Sequence, residues 1–222
     1  MAVDSINPLT RNLVEQIVRE VVLKRLGGGP KPGPTLAVHA SARHMHVCRE
    51  DLDVLFGPGH ELTPDHPLYQ EGNYAAKETV TLVGPRSRLI SNLRILGPLR
   101  KESQIELAFT DAISLGIEAP IRLSGDLKGT PGCFVMGPKG TVQLQQGVIR
   151  AAIHVHMNGD EAAYFGVKQG EVLRLRVGGD AGVTFNRVHV RIDPKSRLNV
   201  HLDTDEANAC GLHLVKDVEL IK

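Results

Sequence analysis

Apolar positions divide the chain into an amphipathic opening and a long succession of short, punctuated segments. In residues 5–26, SINPLTRNLVEQIVREVVLKRL, Ile6, Leu9, Leu13, Ile17 and Val21 form one helical stripe. Val14, Val18 and Val22 lie beside it, while Arg11, Glu15, Glu20 and Lys24 fall on other faces. The pattern predicts an amphipathic helix within residues 1–26. It opens near Asn7-Pro8 and stops at GGGPKPGP, whose glycines and prolines make residues 27–34 a linker. A short helix on such a tether either docks onto a partner or folds back on its own domain, and composition leaves both readings open.

Beyond the linker, TLAVHAS, ETVTLVG, RLISNLRIL, QIELAF, AAIHVHM, EVLRLRVGG, GVTFNRVHVRI and LNVHLD read as strands between glycine- and proline-rich turns. No ten-residue helical period alternates with them, which favours a barrel or sandwich over a doubly wound sheet. The expectation is a mainly β protein with two β-rich domains. The turn formers of SGDLKGTP, residues 124–131, put the boundary there, giving 35–127 and 128–222 with the active site between them.

Composition narrows the function classes. The chain has 222 residues, enough to bury a core without disulfides. No segment approaches the roughly 20 apolar residues that span a bilayer, so no membrane association is expected. Net charge is +1 with basic residues dispersed, which provides no footprint for nucleic acid. Cys48, Cys133 and Cys210 are too few and scattered for a disulfide framework, and the N-terminus lacks the features of a secretory leader, so a reducing intracellular setting is expected. Ten histidines against five Phe, three Tyr and no Trp turn attention to imidazole chemistry.

A spaced pattern recurs three times: Glu106-x4-Asp111-Ala112-x3-Gly116, His156-x4-Glu161-Ala162-x3-Gly166 and His201-x4-Glu206-Ala207-x3-Gly211. A blurred fourth copy runs from His46 through Asp51 and Leu52 to Gly57. The unit this predicts is a strand ending in a polar side chain, a short helix entered at an acid, and a C-terminal glycine. Its first position reads His, Glu, His, His, all competent zinc ligands.

Two of these positions have a partner histidine two residues earlier, giving His44-Met45-His46 and His154-Val155-His156. Side chains at i and i+2 of a strand share a face about 6.6 Å apart along the chain, from which two imidazoles can converge on one cation. One such pair is as easily an ordinary strand feature. Two pairs in matching repeat positions favour a set of His44, His46 and Glu106 and a second set of His154, His156 and His201. Imidazole with one carboxylate suits zinc, and three ligands leave a position open for catalysis. Cys48 continues the His46 face as ligand or bystander. His39, His60, His66, His189 and His213 lie outside the pattern and read as structural.

Between the two sets run Arg86, Arg88, Arg94, Arg100 and Lys101, leading to Glu106. An arginine fork matches phosphate oxygens, and Arg94 and Arg100 flank the turn that delivers Glu106. Neither glycine-rich nucleotide motif is present.

The strings SARHMHV, GPLRKESQIELA, HVHM and VHLDTDEANA, four motifs in order over residues 36–222, resemble the PduL-type phosphotransacylases, the phosphate propanoyltransferases of bacterial microcompartments. Family members usually carry Leu-Ser after the first His-x-His, where this chain has Val47-Cys48. The resemblance implies two β-barrels capped by short α-helices, two zinc ions per chain on the two sets above, and coenzyme A as substrate or product. It implies that Arg100 holds phosphate and that Ser41, Ala42, Arg43, Arg94, Asn208 and a basic residue of the GPRSR turn, Arg86 ahead of Arg88, lie near coenzyme A. The N-terminal helix resembles an encapsulation peptide that docks on shell or cargo proteins. This implies location in a microcompartment lumen, with propanediol degradation as the setting, and leaves a homo-oligomer open.

The implied reaction exchanges acyl-CoA and phosphate with acyl phosphate and CoA, propanoyl preferred, by zinc-assisted direct transfer. A dinuclear zinc hydrolase of a thioester or phosphate ester is the alternative from another reaction class. A non-catalytic metal-binding or shell-scaffold protein is the third reading.

Overall fold

The computed structural model describes residues 33–215 and 217–222, together with Val18 and Val21, which are helical. The helix expected within residues 1–26 and the linker at 27–34 fall almost wholly outside these residues. Leu36–Lys222 is one compact unit.

This unit is mainly β and holds two curled sheets. One runs in the order β1 (Ala37–Ser41), β14 (Asn199–Asp203), β11 (His154–Met157), β13 (Val183–Ile192), β12 (Val172–Val177) and β15 (Val218–Ile221). The other runs β7 (Ile121–Arg122), β10 (Val148–Ala151), β6 (Gln104–Glu106), β2 (His44–His46), β5 (Leu89–Gly97), β4 (Tyr74–Val83), β8 (Cys133–Met136) and β9 (Thr141–Leu144), with β3 (Pro64–Pro67) beside β4. Both sheets mix pair types: β2 with β5 and β11 with β13 are parallel, β4 with β5 and β12 with β13 antiparallel.

Alternation sets which face is buried. In β12, Leu173, Leu175 and Val177 are buried while Val172, Arg174 and Arg176 are exposed, the period-two pattern visible in VLRLRV. Each sheet has its own core. Met45, Leu52, Leu82, Ile95 and Ile105 anchor one; Val155, Met157, Leu175, Val188 and Val200 anchor the other.

Two features differ from the sequence reading. The sheets are curled half-barrels, not closed barrels, with β1 and β15 the end strands of one. Closure requires strands long enough to tilt and stagger round an axis, and β2, β6 and β11 have only three or four residues. The sheets also do not divide at residues 127/128. β8, β9 and β10 belong with the first-half strands, and β1 crosses to the second-half sheet by pairing in parallel with β14. The turn-rich stretch at 124–131 is a loop inside one sheet, because β10 must return between β6 and β7.

The spaced pattern is realised four times as strand then helix. The helices are α1 (Arg49–Phe56), α2 (Phe109–Leu115), α3 (Gly159–Phe165) and α4 (Thr204–Ala209), following β2, β6, β11 and β14. In every copy the acid is the third helical residue. Glu161 and Glu206 complete capping boxes with Asn158 and Asp203. Where the capping residue is Cys48 or Ala108, which makes no side-chain cap, Asp51 instead accepts from Ser103 Oγ at 2.5 Å and Asp111 from Arg43 at 2.8 Å. Gly116, Gly166 and Gly211 adopt left-handed φ of 77°, 62° and 58°, the conformation that stops each helix and turns the chain. Among the described residues no helix is long and apolar enough to cross a membrane.

The capping box at α3 fixes where that helix starts after the His154-x-His156 strand. Asn158→Ala removes the acceptor for Glu161 N–H and is expected to cost about 1 kcal/mol of stability. A lowered denaturant midpoint with an unchanged slope is the expected reading.

Candidate active site

Register builds the site. β2 and β6 are antiparallel with His44 opposite Glu106 and His46 opposite Gln104. β11 and β14 are antiparallel with His154 opposite His201 and His156 opposite Asn199. Directly opposed residues have Cβ atoms about 5 Å apart, so a His-x-His strand and the strand bearing the third ligand converge without help from a loop. The two arrangements correspond position for position, one in each sheet.

The geometry agrees. Within each set the potential ligand atoms all lie within 4.8 Å of one another. His44 Nε2 is 3.2 Å from His46 Nε2 and 3.5 Å from Glu106 Oε2. The His154, His156 and His201 rings have centroids 4.8 to 5.0 Å apart, each ring facing both others. Glu106 lines a small recess together with His154 and His201, so the sets are neighbours across the junction of the sheets.

Hydrogen bonds prepare two rings in the same way. His44 Nδ1 lies 2.8 Å from the Ala42 carbonyl, and His154 Nδ1 lies 2.8 Å from the Ala152 carbonyl. A ring nitrogen facing a carbonyl must carry the proton, which leaves Nε2 with a free lone pair. His46 Nδ1 is buried without a well-formed hydrogen bond. Converging imidazole lone pairs beside a carboxylate are a donor set that a divalent cation completes, and zinc suits it best.

Electrostatics keep the donors in the binding form. Burial, reinforced by neighbouring imidazoles, lowers His46 and His201 to about 3 and His154 to about 4. The same causes bring His156 to about 3, with Arg191 adding to the effect. All four rings are therefore neutral near pH 7. Burial alone would raise the Glu106 carboxyl, but the surrounding imidazoles and a hydrogen bond from Ser124 hold it below the ordinary carboxylate range.

All six side chains open onto one cavity of about 750 Å³, which Ser41, Ala42, Arg43, Arg94 and Arg100 also line. Arg100 donates Nη1 to Ser124 Oγ at 2.8 Å, and its backbone N–H is fixed on the Val47 carbonyl at 3.0 Å. Arg94 Nη1 donates to the Ala76 carbonyl at 2.6 Å, and Arg43 pairs with Asp111.

Arg86 and Asn208 are not brought to this cavity. Arg86 lies along α2, with Nη1 3.5 Å from the Ile113 carbonyl, and Asn208 is exposed on α4. Cys48 is buried, with its sulfur 3.4 Å from Ser103 Oγ, and stands in neither ligand set. Cys133 and Cys210 are also buried thiols, and burial pushes Cys133 up to about 12.

Gln104, Ser124, Arg191 and Asn199 are among the cavity or site residues that escaped the sequence reading. Gln104 and Asn199 carry the same period-two signal that identified His44 and His154, since each lies two residues before a third ligand, in QIE and NVH. Arg191 has no local signal. It reaches the site because β13 pairs in parallel with β11, setting Arg191 beside His156, and its charge opposes that of Arg100. Among the described residues its side chain has no ion pair.

The depressed imidazoles give the metal-free protein a defined pH dependence. His46 and His154 remain neutral in the fold below the ordinary value of 6.5, where the unfolded chain takes up the protons. Unfolding therefore binds protons, and stability falls as pH drops from about 6.5 toward 4. Each ring contributes up to about 1.4 kcal/mol per pH unit. Denaturant midpoints of the chelated protein at pH 7.5 and pH 5 check this, with the lower value expected at pH 5.

The model of the phosphate propanoyltransferase family matches residues 37–213. A phosphate propanoyltransferase of Planctopirus limnophila is 48% identical over 96% of this chain and 92% of its own length. One from Thermotoga maritima is 49% identical over 81% of this chain and 86% of its own, and one from Salmonella typhimurium 44% identical over 91% and 93%. With its ligand strands, arginines and cavity all inside the matched region, the chain belongs to the phosphate propanoyltransferase family, a family of acyltransferases.

Proposed function

We propose that this protein moves a short-chain acyl group, propanoyl preferred, between coenzyme A and inorganic phosphate in the cavity between the two sheets. The observation that carries this reading is the convergence of two three-ligand sets and the guanidinium groups of Arg100 and Arg191 on one cavity. One zinc ion would be held by His44, His46 and Glu106, the other by His154, His156 and His201. When bound, zinc supplies Lewis-acid stabilisation to a carbonyl gaining oxyanion character and to a departing thiolate.

The protein's own groups account for the rest. A phosphate oxygen forms a bond to the thioester carbon as the carbon–sulfur bond breaks, giving acyl phosphate and the CoA thiolate. Phosphate must approach as an anion, and Arg100, oriented by Ser124, is placed to hold it by paired N–H donors. Arg191 offers a second guanidinium from the facing sheet, and an anion between them relieves their mutual repulsion. Ser41, Ala42, Arg43 and Arg94 also line the cavity, and coenzyme A would lie against them. The three cysteines are buried, and the thiols of Cys48, Cys133 and Cys210 are all pushed up by burial, so none is prepared as an acyl-accepting nucleophile. Unprepared thiols support direct transfer within a ternary complex, and acyl label retained on the protein after incubation with propanoyl-CoA alone would overturn it.

The helical pattern within residues 1–26, its linker and the family together support an encapsulation role. The segment would dock onto shell or cargo proteins and place the enzyme in a microcompartment lumen.

Arg100→Ala is expected to keep zinc content while phosphate-dependent CoA release from propanoyl-CoA falls by 100-fold or more, about 3 kcal/mol of lost transition-state stabilisation. His154→Ala is expected to lose zinc from its own set. Equal turnover in wild type and Arg100→Ala would remove the phosphate role. Deleting residues 1–27 is expected to leave turnover intact and abolish encapsulation, read by fluorescence co-localisation with a shell protein.

A further inference from the structure

Each ligand set has a buried carboxamide at the equivalent position. Gln104 lies opposite His46 and two residues before Glu106; Asn199 lies opposite His156 and two residues before His201. Both are closed off from solvent, at 1% and 0% exposure, although asparagine is depleted in strands and buried side-chain amides need partners. Gln104 has a complete set of partners. Its Nε2 donates to Glu106 Oε1 at 2.6 Å and to Ser124 Oγ at 2.8 Å, and its Oε1 accepts from Gly125 N–H at 2.7 Å. The bond to Glu106 Oε1 leaves Oε2 facing His44.

Asn199 makes the corresponding contact, with its amide nitrogen 2.6 Å from His201 Nε2, but its Oδ1 is buried without a partner. An amide nitrogen in that place must donate to Nε2. The ring proton would then sit on Nδ1, and His201 would keep no lone pair for a cation. The two ends of a carboxamide have the same shape, and their assignment follows from the network they serve.

We infer that Asn199 turns its carbonyl oxygen, not its nitrogen, toward His201, accepts the Nε2–H proton and so leaves Nδ1 as the only lone pair of that ring. His201 then differs from His44 and His154, whose Nδ1 protons are committed to backbone carbonyls and whose free nitrogen is Nε2. Gln104 and Asn199 are counterparts with opposite polarity. A carboxylate needs a donor beside it and a protonated imidazole nitrogen needs an acceptor, and one functional group, rotated by half a turn, supplies either. The shorter amide faces the longer ligand side chain. Asn199 is thus a positioning residue, and the inference rests on the second ligand set proposed above.

Long-range proton–nitrogen spectra of histidine-labelled protein test this directly. Chelated wild type is expected to show His201 as the Nε2–H tautomer, with zinc-loaded protein showing Nδ1 bound to metal. An Nδ1–H tautomer, or metal on Nε2, overturns the inference. Zinc titration with competitive chelation provides the second arm. Asn199→Asp keeps an acceptor and is expected to retain both zinc ions. Asn199→Leu removes it and is expected to weaken one zinc site by about 10-fold to 100-fold, leaving the other unchanged. Equal affinities in wild type and Asn199→Leu, or equal losses in the Asp and Leu variants, count against it. If wild type binds no zinc yet shows the Nε2–H tautomer, the ligand assignment fails while the amide orientation stands.

Discussion

Two antiparallel strand pairings govern this protein: β2 with β6 and β11 with β14. Each sets a His-x-His strand against a strand that carries a further potential ligand, Glu106 or His201, so the spacing between potential ligands is the spacing of a sheet. A shift of either register by one residue would send the whole set to the opposite face, because side chains alternate with period two. The residues between the ligands prevent this slip. Met45, Ile105, Val155 and Val200 are all fully buried, and each would have to trade places with an imidazole or carboxylate. The hydrophobic cores therefore lock the polar site, and the chemistry inherits the precision of packing.

Buried register also explains the charge state. Imidazoles crowded among one another and removed from water cannot afford protons near neutral pH, and the neutral ring is the form that offers a lone pair. Opposing this electron-rich floor are Arg100 and Arg191, one from each sheet and neither neutralised by an ion pair among the described residues. The cavity thus has donors for cations on one side and guanidinium groups for anions on another. That division of labour suits the acyl transfer to phosphate proposed above.

Contacts between the helices keep the two halves aligned. Thr110 of α2 donates both its backbone N–H and its hydroxyl to Asp205 of α4, at 2.8 and 2.7 Å. Arg43, just before β2, pairs with Asp111 of α2, and Gln70 exchanges hydrogen bonds with the Arg197 backbone. The contacts of Thr110 with Asp205 and of Gln70 with Arg197 tie segments of one sheet to segments of the other, while Arg43 with Asp111 ties α2 to the entry of β2. Because β2, β6, β11 and β14 each run straight into a helix, a shift at the helices would be felt at the two candidate ligand sets.

Much of this was legible in the chain. The recurring ligand, acid and glycine spacing foretold four strand-helix units, and all four formed with the acid in the third helical position, because capping and left-handed glycines act over a few residues. The six ligand candidates were named from that spacing and the two His-x-His pairs, whereas the phosphate role of Arg100 came from the family resemblance. Other features depended on residues far apart in sequence. SGDLKGTP looked like a domain boundary but is a loop within one sheet, since turn chemistry says where a chain bends and not which strand it returns to. The crossing of β1 to β14, the half-barrel form of the sheets and the arrival of Arg191 beside His156 are likewise pairings between distant segments. Local sequence determined what each segment is and which side chains it offers; long-range strand pairing, driven by burial of the two cores, decided which of those side chains meet.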